Sequence, residues 1–163
     1  MKSTIVALLL VLSLAANAFL WYRVDHLQTA GPSDAPHDYP LGENMGYMQR
    51  YAEKLWYAGQ AGNWDLAQYY RDEMQETAED IAGAHVVKDG VQVSTTLNSL
   101  LPPVLAQVGT AIAAHDPAAF RQRYQTVIET CNACHVAAKH PFIHIAVPVG
   151  NGSHWNQVFA PHP

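Results

Sequence analysis

Residues 131 to 135 read Cys-Asn-Ala-Cys-His, and they hold the only two cysteines of the 163-residue chain. Two thiols separated by two residues and followed at once by an imidazole suit three chemistries. A dithiol redox pair of thioredoxin type belongs in a βαβ setting. A structural zinc site needs about four ligands in a closed shell, and no second C-x-x-C is present. The C-x-x-C-H spacing itself is the attachment signature of c-type haem. Each thiol adds to one vinyl group on the porphyrin edge, the two intervening residues match the vinyl separation, and the histidine reaches the iron. The motif therefore predicts one haem c, bound through thioethers at Cys131 and Cys134, with His135 as proximal axial ligand.

The elements around it must hold that motif. Phe120, Tyr124, Val127, Cys131, Cys134 and Ala138 step by four and three, so the motif sits on the apolar face of a helix. Asp116-Pro117 supplies its N-cap and first residue, and His140-Pro141 its stop. Three earlier stripes have the same period. Leu41, Met45, Met48, Ala52, Leu55 and Gly59 form the first, closed by Gly59-Gln60-Ala61-Gly62. Leu66, Tyr70, Met74, Thr77 and Ile81 form the second, with Asn63 as cap and Gly83 at its end. Asp89-Gly90 marks a turn. Leu97, Leu101, Val104, Val108 and Ile112 form the third, beginning after Ser94 and predicted to kink or divide at Pro102-Pro103. The expected fold is all-α: an antiparallel up-down-up-down four-helix bundle over residues 42–140, with the haem near one end. Residues 141–163 are expected to form an extended tail, with Phe142 to Val149 strapped over the bundle end.

The N-terminus has a different character. From Thr4 to Tyr22 no charged residue occurs, after Lys2 has supplied the positive flank. Residues 1–25 read either as a signal peptide, with Ala16-Asn17-Ala18 as cleavage site, or as a membrane anchor with Trp21, Tyr22 and Arg23 at the interface. Either reading sends the rest of the chain to the periplasmic side. Residues 26–41, rich in proline, read as a linker. The composition, 49% hydrophobic and 14% charged with a net charge of −5, suits a folded core. It offers no basic surface for nucleic acid.

A c-type motif near the C-terminal end of the fourth helix of a bundle resembles the cytochrome c′ group of periplasmic haem proteins. The resemblance spans roughly residues 42–140. Its specific parts are Cys131, Cys134 and His135, with Lys139 at the basic position four residues beyond the histidine. Ala138 stands where that group commonly has an aromatic residue. The stretch Lys54 to Trp64 is similar to small bundle cytochromes. The resemblance implies a four-helix bundle with haem at one end, association as a homodimer, and five-coordinate iron whose distal side is blocked by an apolar side chain.

In an up-down-up-down bundle, the level of His135 lies opposite residues 45 to 51 of the first helix. Met48 and Met45 are there on the inward stripe, as candidate distal ligands or as core filling. Tyr47 and Tyr51 could place a phenol on the same side. His85, His140 and His144 fall at this end and are candidates for a propionate or the iron, and Lys139 for a propionate. Two functions compete: one-electron transfer to a redox partner protein with low-spin six-coordinate iron, and capture of nitric oxide or carbon monoxide on an open distal face. No distal acid–base pair can be assembled, so the expectation is not an enzyme.

Overall fold

The computed structural model describes residues 12–23 and 39–162. The chain divides into two units, Met1–Asp38 and Tyr39–Pro163. In the first, residues 12–23 are helical, with Asn17 Nδ2 donating to the Ser13 carbonyl at 2.8 Å. Among the described residues no helix is long and apolar enough to cross a membrane. The start of the uncharged run, Pro32, Pro36, His26 and His37 lie outside the described residues.

The second unit is all-α apart from one small hairpin. Its helices are α1 (Leu41–Gln60), α2 (Trp64–Gly83), α3 (Val93–Ala113) and α4 (Pro117–Ala137). The hairpin pairs β1 (Val87–Lys88) with β2 (Val91–Gln92) across Asp89-Gly90. The sequence reading assigned only a turn there. Each ladder is two residues long, too short for periodicity to reveal.

Local chemistry starts and stops these helices. Asn63 accepts from the Leu66 amide, and Asp116 accepts from Ala118 and Ala119, so α2 and α4 have side-chain caps. The C-termini share one device. Behind α1, α3 and α4, a left-handed residue (Gly62, His115, Lys139) turns the chain, and paired amides return to the last helical carbonyls. For α4 these are Lys139 N to Val136 O and His140 N to His135 O. The helix therefore ends at Ala137, earlier than the His140-Pro141 stop predicts. At α2 the device is modified. The hydroxyl of buried Ser94 inserts between the partners, accepting from Val86 N and donating to Ile81 O. Ser94 thus lies inside α3 rather than before it.

Pro102 and Pro103 do not divide α3, which runs unbroken from Val93 to Ala113. The two carbonyls that lose their amide partners belong to Asn98 and Ser99. Both residues are exposed, so water can take up the freed acceptors.

The core is one cluster to which all four helices contribute, with Leu55, Met74, Ile81, Leu105, Val108, Phe120, Tyr124 and Val127 fully buried. Consecutive helices pack along each other, whereas α1 and α4 meet more sparsely. Where they do meet, the fit is tight. The Phe120 ring lies over Gly59, Tyr124 packs tilted against Trp56 with ring centroids 4.9 Å apart, and the Tyr124 hydroxyl donates to the Ala52 carbonyl at 2.9 Å.

Beyond α4 the chain has no regular secondary structure. It first returns along α4 and then crosses α1 and α2. Asn132 bonds both backbone groups of Ile145, the Tyr57 hydroxyl donates to Val149 O, and Tyr70 donates to Gln157 Oε1. Phe159 is buried against Tyr57, and Lys54 lies over the Trp155 ring.

Candidate functional site

Below the Tyr124–Ala52 contact, α1 and α4 leave a cleft of about 380 Å³ between them. That size suits a small-molecule or cofactor pocket. From α4 it is lined by Thr130, Cys131, Cys134, His135 and Ala138, which share one face at helical spacing. From α1 it receives Met45, Met48 and Gln49, and from α3 Leu97 and Leu101. Ile143 and Ile145 close it from the tail. All five sequence-predicted site residues (Cys131, Cys134, His135, Met45 and Met48) therefore face one apolar space.

Part of the α1 wall of the cleft is bare backbone. Gly42 and Gly46, one turn apart, both line it, and a Cβ on either would meet no atom within 4 Å. A flat macrocycle could approach the helix there without displacing a side chain. Met48 is only 6% exposed and belongs to the core cluster, whereas Met45 is half-buried beside it. Both positions suit packing against a ring face.

The two thiols are free. Burial pushes the Cys131 thiol up to about 11, and the neighbouring Cys134 adds to the rise. Burial also raises Cys134. A dithiol redox catalyst needs the opposite, a thiolate favoured near neutral pH. Alkylation of Cys131 in the haem-free chain should therefore be slow at pH 7 and gain about tenfold per pH unit until about 11. Rapid iodoacetamide labelling at pH 7, read by mass spectrometry, would restore the redox-pair reading. Among the described residues no group of three His, Cys, Asp or Glu side chains comes together to hold a metal ion unaided.

His135 has one ring nitrogen engaged by the returning tail. Its Nδ1 lies 2.9 Å from the Ile143 carbonyl. A carbonyl can only accept, so Nδ1 is the donor, which in the neutral ring leaves the lone pair on Nε2. This is the arrangement metal-bound imidazoles use, with the second nitrogen donating to a fixed acceptor.

Several other expectations are corrected. Tyr47 and Tyr51 do not line the cleft: Tyr51 stacks on Tyr47 and Tyr70, beside Glu73 of α2. His85, in the left-handed position after α2, and exposed His144 are also outside the lining. His140 does line it, with Nδ1 held 2.7 Å from the Ala138 carbonyl. Lys139 is exposed and outside the lining, and its Nζ donates to Asp89 O at 2.9 Å. Lys88 of the hairpin is the cation that the cleft receives, and the sequence reading missed it. Its neighbours Asp89-Gly90 marked a turn, but no local pattern linked that turn to the motif.

In comparisons with known proteins, no family model, no curated protein and no solved structure matches this chain.

Proposed function

We propose that the chain is an exported monohaem c-type cytochrome that transfers single electrons to a redox partner protein. One observation carries this reading: Cys131, Cys134 and His135 of α4 face Met45 and Met48 of α1 across one apolar cleft. The four helices, joined by short loops, read as an antiparallel up-down-up-down bundle. Haem, when bound, supplies a one-electron ferric/ferrous couple. Cys131 and Cys134 would hold it by thioethers, and His135 Nε2 would be the proximal donor. Lys88 would pair with a propionate at the mouth. The surrounding apolar side chains would exclude water and help to set the potential.

Met48, then Met45, are the residues assigned to the distal face. A thioether bound there would make the iron six-coordinate and low-spin. The burial of Met48 within the core supports a second reading. If it only packs, the iron keeps an open position and the protein binds nitric oxide or carbon monoxide.

Optical spectra of the purified holoprotein, ferric and ferrous, with and without carbon monoxide, decide between them. Low-spin bands indifferent to carbon monoxide are expected, and Met48→Ala should then convert them to high-spin, carbon monoxide-sensitive bands. High-spin ferrous bands that shift on carbon monoxide in the unmodified protein would make gas binding the function. A purified protein with no covalently attached haem would refute both.

A further inference from the structure

The motif contains one polar residue with no part in attachment, Asn132. Its carboxamide forms a two-point pair with the backbone of Ile145: Nδ2 donates to the Ile145 carbonyl at 2.8 Å, and the Ile145 amide donates to Oδ1 at 2.8 Å. Only one orientation of the amide satisfies both bonds, so the pair specifies the side-chain rotamer as well as the chain position. Two residues earlier in the same segment, the Ile143 carbonyl accepts from His135 Nδ1. On α4, Asn132 and His135 are three residues apart and thus neighbours on the helix surface. The returning segment is therefore fastened at Ile145 and presents Ile143 to the imidazole.

We infer that Asn132 is a positioning residue for the iron ligand, acting through the tail. It holds residues 143–145 in the register that keeps a carbonyl on His135 Nδ1. That bond fixes the tautomer that leaves Nε2 free and raises the basicity of the ring. A more basic donor favours ferric over ferrous iron, so the clamp lowers the reduction potential. Among the described residues no other polar side chain bonds the Ile143 backbone: its own amide donates to the His140 carbonyl, within the turn. The same segment contributes the Ile143 and Ile145 side chains to the cleft. Loosening it would also admit water on the proximal side.

This inference rests on the haem reading for its redox consequence, but the clamp can be tested without haem. In the full-length haem-free chain, ¹⁵N NMR of the His135 ring should report the Nδ1–H tautomer, and Asn132→Ala should give a mixture of tautomers. In the holoprotein, mass spectrometry first establishes that Asn132→Ala still carries haem on both cysteines. Redox titration should then show the ferrous-to-ferric ratio at fixed ambient potential rising by about tenfold. The ferrous iron–histidine stretch in resonance Raman spectra should move to lower frequency. Ile145→Pro removes the amide that Asn132 accepts without altering the motif, and it should produce a shift of the same sign. Combined with Asn132→Ala it should add little, as expected for two halves of one interaction. Unchanged tautomer, potential and stretch in both variants, with only a lowered melting temperature, would overturn the assignment and leave Asn132 a structural tie. Failure of the unmodified protein to carry haem would refute the cytochrome reading alone, with the NMR result still deciding the clamp.

Discussion

Replacing Cys131 and Cys134 together by Ala is expected to take covalently bound haem from one per chain to none. The change should appear as loss of the haem mass from the denatured protein and loss of the pyridine haemochrome of a thioether-linked porphyrin. The argument is geometric. Both thiols lie on the cleft face of α4, three residues apart, and no other cysteine exists to substitute. Both are only half-buried, and each replacement removes a single sulfur atom. The direct cost to folding should be about 1 kcal/mol per site. A variant that melts near the haem-free parent yet binds no haem covalently separates attachment from stability. Each single variant should keep one thioether and a spectrum shifted by the remaining vinyl group. Persistence of covalent haem in the double variant would remove the motif from the mechanism altogether.

Gly59→Ala should be among the most damaging small substitutions outside the cleft. A Cβ on Gly59 would lie 2.2 Å from the Phe120 ring, far inside van der Waals contact. The ring cannot step aside, because it is fully buried and wedged between Trp56, Trp64 and Tyr124. Either α1 and α4 must separate or the aromatic cluster must repack, at a cost of about 3 kcal/mol. Thermal unfolding should fall by on the order of 10 °C. Because this contact is where α1 and α4 close on each other, its loss should also widen the cleft below. Phe120→Leu shortens the obstructing ring, and Gly59→Ala should cost much less in that background. Equal costs in both backgrounds would mean the helix tolerates the methyl group by a route other than the ring.

Much of this was legible in the sequence, and the reason is the range over which each signal acts. The stripes from Leu41 to Gly59 and from Phe120 to Ala138 are periodic, so both helices and the inward placement of Met48 and Cys131 could be read directly. Asn63 and Asp116 are local caps, and both function as caps. The division expected as one outcome at Pro102-Pro103 is absent because the rule for proline counts lost hydrogen bonds without knowing whether water can replace them. At Asn98 and Ser99 it can. The end of α4 was misplaced because a left-handed Lys139 stops the helix before Pro141 can. Ser94 was read as preceding its helix, since its partners Ile81 and Val86 belong to another element. The same limit hid Lys88, the Asn132–Ile145 pair and the Ile143 carbonyl. Each depends on how a hairpin or a returning tail is laid against a helix, and no periodicity encodes that.

The tail that completes the cleft also orders events in time. Residues 143–145 follow the motif in the chain, so a nascent polypeptide presents Cys131, Cys134 and His135 before their cover exists. Once Asn132 captures Ile145, the Ile143 and Ile145 side chains close that side of the cleft. The wall that Ile143 and Ile145 form is thus the last part of the cleft to be made, and until it is in place that side stands open.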